Sequence, residues 1–169
     1  MHPAFSILFF TTFAGSAQGL VVALALASLF GVPMAPGMVS DALLVAELLL
    51  LAGLAASFLH LGRKTRAWRA VLMWRTSWMS REVIVLPAFI GLVGLWWLAE
   101  RAGVAAPAVF PLLAIAGAIV LWYCTAMIYA CLRFFNESAH PVTYAHSPLV
   151  GLASGLLLYG MSMIYGATG

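Results

Sequence analysis

The chain alternates between long apolar segments and short breaks that are polar or rich in proline and glycine. Each segment is close to the roughly 20 residues that an α-helix needs to cross a bilayer. The predicted spans are residues 4–30, 42–61, 82–99, 108–132 and 147–167. Because a helix satisfies its backbone hydrogen bonds internally, the pattern predicts an all-α membrane protein. It is expected to be a polytopic transmembrane helix bundle of about five spans, with residues 1–169 as a single domain.

Composition excludes a water-soluble domain. Of the 169 residues, 64% are hydrophobic and only 8% are charged, with a mean hydropathy of +1.07. Soluble domains carry about 25% charged residues. The net charge of +3 comes from basic residues that stand beside the predicted spans. Membrane lipid or a docked protein is therefore the expected partner, and nucleic acid is not.

The break between the second and third spans is long and basic. It contains six of the eight Lys and Arg residues, namely Arg63, Lys64, Arg66, Arg69, Arg75 and Arg81. Tryptophans alternate with the arginines, and both favour the headgroup level of a bilayer. The pattern is typical of a helix lying along the membrane surface, which serves either as a plain anchor or as a surface for a partner or cofactor. The candidate docking residues are Arg69, Trp74, Arg75 and Trp78.

The distribution of charge predicts an orientation. Five spans place the N-terminus and the breaks 62–81 and 133–146 on one side, with seven Lys and Arg residues, and leave Arg101 on the other. Cytoplasmic loops carry an excess of Lys and Arg. The N-terminus and the basic break are therefore predicted to be cytoplasmic.

Two polar residues lie inside the predicted spans. Placing a polar group in a bilayer costs free energy, so each is expected to have a packing or functional role. Gln18 lies in a patch of small residues, 14–19, which favours close helix packing with one interhelical hydrogen bond over contact with a ligand. Gly151 and Gly155, two glycines four positions apart, form a second small-residue step, which is a weaker signal for helix packing. Glu47 is either a proton-relay group or the partner of a polar group on another helix, and the sequence leaves both interpretations open.

His60 and Glu82 form the candidate chemical site. One ends the second span and the other begins the third, so antiparallel helices place them at the same membrane depth. Histidine exchanges a proton near neutral pH, and a carboxylate removed from water can do so as well. Reduction of a quinone requires two electrons and two protons, which such a pair can serve. The alternative is an interfacial pair that contacts headgroups and Arg66.

The sequence predicts no haem, no iron–sulfur cluster and no metal site within the chain. A haem that spans a bilayer commonly has two facing histidine ligands, and His60 is the only histidine near a span interior. Cys124 and Cys131 share one helix face without the further ligands of a metal or iron–sulfur site. The chain is therefore expected to be non-catalytic on its own.

At these residues the sequence resembles the membrane anchor subunits of dimethyl sulfoxide reductase-type molybdenum enzymes. The joined His-Leu-Gly and Ser-x-Glu motifs are the more specific part of the resemblance, which covers most of the chain. The matching segments are 2–6, Thr11-Thr12, 17–19, 57–62, 66–68, 75–82 and 127–133. The segment Arg75-Thr76-Ser77-Trp78 is most similar to the branch that includes sulfite-oxidising complexes.

The resemblance implies a complex in which a molybdopterin catalytic subunit and an iron–sulfur subunit sit on a haem-free anchor that exchanges electrons with quinone. It also implies that His60 and Glu82 form the quinone site, with Arg66 as the loop arginine. The expected location is the bacterial inner membrane, in anaerobic or sulfur respiration, with the partners on the cytoplasmic side. Anchors of this family have eight helices, so the chain is predicted to be truncated after its fifth span.

Two other hypotheses compete with a quinone-reactive anchor. One is a small-solute transporter, or a fragment of one, with Gln18 and Glu47 as ligands at the midplane. Such transporters show discontinuous helices or repeat symmetry, and the sequence shows neither. The other is a purely structural anchor that only holds its partners.

Overall fold

The computed structural model describes residues 3–59, 72–103, 108–131 and 141–168. These ranges contain no strand, and five α-helices are defined in them. The helices are α1 (Pro3–Leu29), α2 (Met38–Leu59), α3 (Trp78–Arg101), α4 (Val109–Cys131) and α5 (Pro141–Thr168). The predicted all-α class is confirmed in this part of the chain.

Within the described residues, four helices are long and apolar enough to cross a membrane. These segments are Phe9–Leu29 of α1, Met38–Ser57 of α2, all of α3, and Val109–Ile128 of α4. Helix α5 has 28 residues, and its described apolar stretch is Leu149–Met161. A helix of that length extends about 42 Å, more than the hydrocarbon core of a bilayer. The chain is a multi-pass membrane protein.

Helix α1 ends in a turn that depends on glycine. Gly31 has a φ of +65°, a left-handed conformation that residues with a Cβ avoid. The N–H of Val32 donates to the carbonyl of Ala27 at 2.9 Å. The N–H of Gly31 donates to the carbonyl of Ser28 at 3.3 Å. This Schellman arrangement satisfies carbonyls that a helix end leaves unpaired, so α1 ends before Pro33.

Helix α3 begins at Trp78, ahead of residue 82, where the third apolar span was predicted to start. Its N-cap is Ser77, which has extended backbone and accepts a hydrogen bond from the N–H of Ser80 at 3.4 Å. A serine cap satisfies an N–H that the first turn leaves unpaired. Apolar content alone does not register a first turn that includes Ser80 and Arg81. The earlier start places Glu82 in the second turn of the helix.

Helix α1 lies at the centre of the bundle. It packs against α2, α4 and α5, while α3 packs against α2 and α4. The core between these helices consists of aliphatic side chains, a phenylalanine and two tryptophans. Its largest fully buried members are Leu20, Val21, Leu24, Leu43, Leu50, Val93, Trp96 and Leu121. The outward faces are apolar too, as expected for helices that contact lipid.

Helices α1 and α5 approach each other through glycines. Gly15 and Gly19 lie on one face of α1, and Gly151 and Gly155 lie on one face of α5. A Cβ added to Gly151 would be 2.9 Å from the carbonyl oxygen of Gly15. A Cβ added to Gly19 or Gly155 would overlap the backbone of the other helix. The predicted close packing of the small-residue patch is confirmed, and its partner is the glycine step of α5.

Replacing Gly155 with alanine is expected to destabilise the bundle, because the new Cβ would overlap the backbone of Gly19. Overpacking of this kind costs about 1–3 kcal/mol or more. Gly160 is the matched control, since it lies on the same helix and a Cβ there has nothing within 4 Å. In thermal unfolding in detergent, Tm should fall for Gly155→Ala and not for Gly160→Ala. Equal Tm values would contradict the glycine contact.

Candidate functional site

The candidate residues from the sequence fall into two groups. His60, Arg66 and Arg69 lie outside the described residues. The described members occupy the start of α3 and the segment just before it. They are Trp74, Arg75, Trp78 and Glu82. The structure therefore positions the carboxylate of the proposed acid–base pair and the second half of the basic segment.

Glu82 is linked from α3 to α4 by a short hydrogen bond. The Thr125 hydroxyl donates to Oε1 of Glu82 at 2.7 Å. The same hydroxyl also lies 3.0 Å from the carbonyl oxygen of Leu121, one turn earlier on α4. A threonine hydroxyl has one proton to donate, so these two oxygens compete for it. An ionised carboxylate attracts the proton more strongly, because hydrogen bonds to charged acceptors are the stronger ones.

The side chain of Glu82 lines a cleft formed by α1, α3 and α4. The polar residues that line it are Thr11, Gln18, Glu82, Trp122 and Thr125. Sequence reasoning identified two of these and missed the others. Trp122 and Thr125 are three residues apart and so lie on one face of α4. A threonine in an otherwise apolar span was the available signal for that face.

The cleft becomes more buried towards Gln18. Glu82 and Thr125 are half-buried, whereas Gln18 is 4% exposed and Trp122 is 9% exposed. Within the described part of the chain, neither Oε1 of Gln18 nor Nε1 of Trp122 has a hydrogen-bond partner. The interhelical hydrogen bond predicted for Gln18 is therefore not present at this oxygen. A buried polar atom without a hydrogen bond costs folding free energy, so each of these two atoms is expected to bond a further group.

The cleft is small. Its volume is about 20 Å³, whereas a buried water needs about 10–15 Å³. A six-membered ring does not fit this volume. A group of that size would contact only the half-buried side of the cleft, where Glu82 and Thr125 are.

The residues before Glu82 form a compact cluster of arginine and tryptophan. The Arg81 guanidinium lies over the Trp78 ring at 4.0 Å. It also donates from Nε to the Trp74 carbonyl at 3.0 Å and from Nη2 to the Arg75 carbonyl at 3.2 Å. The Trp78 ring meets Tyr123 edge to face, with centroids 5.5 Å apart. These contacts of Arg81 thus hold the segment before α3 against the first turn of the helix.

Two docking candidates remain on the surface, and a third is engaged within the chain. Trp74 is 55% exposed, and the neighbouring Arg75 guanidinium lies 5.9 Å from its ring centroid. Trp78 is half-buried between Arg81 and Tyr123. Trp74 and Arg75 are therefore available to a partner or to headgroups, while Trp78 also has a role in holding α3 against α4.

Glu47 lies apart from the Glu82 cleft. It is on α2 and faces α3 at Gly94, where a Cβ would be 3.5 Å from Oε1 of Glu47. Its other oxygen, Oε2, is buried and has no hydrogen-bond partner among the described residues. The carboxyl group of Glu47 therefore points towards α3, at ordinary van der Waals distance from the position that a methyl group on Gly94 would occupy. Glu47 is not among the residues that line the cleft of Gln18 and Glu82.

Comparison with known proteins gives a family. The family model described as DMSO reductase anchor subunit (DmsC) matches residues 1–167. A sulfite dehydrogenase subunit of Allochromatium vinosum is 45% identical over 94% of this chain and 54% of its own length. The chain thus spans about half the length of this curated relative. No solved structure matches. The resemblance noted in the sequence is confirmed.

Replacing Thr125 with valine is expected to weaken the hydrogen bonding of Glu82, because valine keeps the shape and removes the donor. One such bond contributes about 1 kcal/mol. Thr125→Ser is the matched control, since it retains the hydroxyl. In infrared spectra, the Glu82 carboxyl band, identified by its loss in Glu82→Gln, should shift in Thr125→Val and stay in place in Thr125→Ser. A band that stays at the native position in Thr125→Val as well would show that the bond does not form.

Proposed function

The chain belongs to the family of DMSO reductase anchor subunits (DmsC), and we propose that it anchors a molybdopterin and iron–sulfur oxidoreductase and exchanges electrons with membrane quinone. The observation that carries the proposal is the half-buried carboxylate of Glu82, held by Thr125 in a polar cleft near the start of α3. The segment before it carries exposed arginine and tryptophan. Family membership also speaks against the transporter alternative.

The quinone headgroup would lie beside the half-buried side of the cleft. His60 follows directly on the last residue of α2, and α2 packs against α3, the helix that carries Glu82. His60 would hydrogen-bond one carbonyl oxygen and exchange a proton with it, while Glu82 would pass protons to the aqueous face. Arg66 would support the carboxylate. Oxidation of a quinol releases two electrons and two protons, and reduction of a quinone takes them up.

The protein itself would supply binding, orientation and proton exchange. The electrons would pass between the quinone and iron–sulfur clusters of a partner subunit, which connect to a molybdopterin catalytic subunit. The identity of 45% to a subunit of a sulfite dehydrogenase favours sulfite as the substrate of the complex. In that case electrons would flow from the catalytic subunit to the quinone.

The iron–sulfur subunit would dock on the basic segment. Trp74 and Arg75 are exposed there, at the end of α3 opposite Arg101. Arg69 and Trp78 would extend this surface. Because cytoplasmic loops are enriched in basic residues, this face and the partners would be on the cytoplasmic side of the bacterial inner membrane.

His60→Ala and Glu82→Gln are each expected to slow quinone-linked turnover by about a hundred-fold or more, which is the usual contribution of a general acid or base. Activity of the complex with a soluble electron dye should be unchanged, because the dye exchanges electrons with the partner subunits directly. A parallel loss of both activities would assign the residues a structural role. Unchanged quinone-linked turnover would refute the proposed site.

Reversing the charge of Arg69 and Arg75 to glutamate is expected to weaken assembly with the iron–sulfur subunit, since the segment would then repel an acidic partner surface. The loss should depend on salt concentration, because exposed charges are screened over about 10 Å at 0.1 M. Arg101→Glu is the control, as it alters an exposed arginine at the other end of α3. Co-purified subunits measure the effect. Unchanged stoichiometry in the double variant would argue against docking here.

A further inference from the structure

Two atoms at the buried end of the cleft have complementary hydrogen-bonding character. Oε1 of Gln18 is an acceptor and Nε1 of Trp122 is a donor. Both are buried, and neither has a partner in the part of the chain that the structure describes. They come from different helices, α1 and α4, and line the same cleft. The buried end of the cleft therefore lacks a group that can donate to one atom and accept from the other.

The chemistry and the size of this space restrict what can occupy it. An anion would be repelled by the amide oxygen of Gln18, and a cation would be repelled by the indole N–H of Trp122. A lipid chain would leave both atoms unpaired. The whole cleft has a volume of about 20 Å³, which admits a water molecule, since a water needs about 10–15 Å³, and which is too small for a ring. Water is the small molecule that satisfies both atoms at once.

We propose that Gln18 and Trp122 bind one water molecule, and that this water positions Glu82 through Thr125. The second part of the inference rests on the proposed function. Trp122 and Thr125 are one turn apart on α4, about 4.5 Å along the axis, a separation that a single water can bridge. The water accepts from Nε1 of Trp122 and donates to Oε1 of Gln18. Its second proton is free to bond the Thr125 hydroxyl oxygen.

The effect on Glu82 follows from the two acceptors that share the Thr125 proton. Oε1 of Glu82 and the Leu121 carbonyl oxygen are 2.7 Å and 3.0 Å from the hydroxyl. A water that donates to Oγ1 strengthens that hydroxyl as a donor, because hydrogen bonds in a chain polarise one another. Gln18 and Trp122 are thus positioning residues, which hold Glu82 in place without touching the quinone.

Gly151 brings the indole of Trp122 close to the contact between α1 and α5. A Cβ on Gly151 of α5 would lie 3.4 Å from Nε1 of Trp122 and 2.9 Å from the carbonyl oxygen of Gly15. The lack of a Cβ at Gly151 therefore lets the indole N–H lie against the backbone of α5, beside α1.

The direct test is a high-resolution structure of the intact complex in lipid. Density for one water between Oε1 of Gln18 and Nε1 of Trp122 would support the proposal. A direct bond between the two side chains, an empty space, or a quinone headgroup in this position would each overturn it. Because the observation uses the native complex, it does not depend on the folding of any variant.

Infrared difference spectra test the same site in solution. A buried-water O–H band that shifts in H₂¹⁸O should disappear in Gln18→Leu and in Trp122→Phe. Trp96→Phe is the matched control, because the Trp96 indole already donates to Glu100 at 3.1 Å and lies outside the cleft. The band should remain there. A band that survives in both cleft variants would refute the water site.

Kinetics test the positioning role. Gln18→Leu should lower kcat of quinone-linked turnover by up to about ten-fold, the effect of one hydrogen bond, with KM for quinone unchanged. Gln18→Asn, which retains an amide, should recover part of the rate. An unchanged kcat would refute the positioning role even if the water is present. If Glu82→Gln also left quinone-linked turnover unchanged, the proposed function would be refuted. The density between Gln18 and Trp122 would then still test the water site by itself.

Discussion

The backbone contact between α1 and α5 is the constraint on which the rest of the bundle depends. In a bilayer there is little hydrophobic gain from joining two apolar helices, so association relies on close packing and on hydrogen bonds. The glycines at 15, 19, 151 and 155 allow that packing because they present no Cβ. Held in this way, α1 can contact α2 on one side and α4 on another. The amide side chain of Gln18 on α1 is then directed into the interior of the bundle and away from lipid.

The polar groups around the cleft differ in how far they are buried. Trp74 is exposed just before α3, and Trp78 and Arg81 are half-buried in its first turn. Glu82 and Thr125 are half-buried as well, and Gln18 and Trp122 are the most buried. The desolvation cost of a polar group rises in this direction, and so does the need for a specific partner. A carboxylate that must exchange protons is best placed in the intermediate zone, where it is partly removed from water and still close to it.

The sequence predicted the helices well because apolar length is a property of each segment by itself. It also located the glycine patches, but it did not pair them, since pairing depends on the order of helices in space. The partners of Glu82 were missed for a related reason. These helices are apolar all round, so no polar stripe shows which face meets a neighbour. Thr125 became informative only once α3 and α4 were placed side by side. For Glu47, the face became known only from its approach to Gly94 on α3.

The first turns of α3 connect two roles that the sequence treated separately. Arg81 and Glu82 are adjacent, so their side chains leave the helix about 100° apart. Arg81 turns back to hold the carbonyls of Trp74 and Arg75, while Glu82 turns to Thr125 on α4. Any displacement of the segment before α3 therefore acts on the turn that carries the carboxylate. A partner docked on Trp74 and Arg75 would steady Arg81, and through it the geometry of Glu82. The proposed docking surface and the proposed proton-exchange site are in this sense one structural unit.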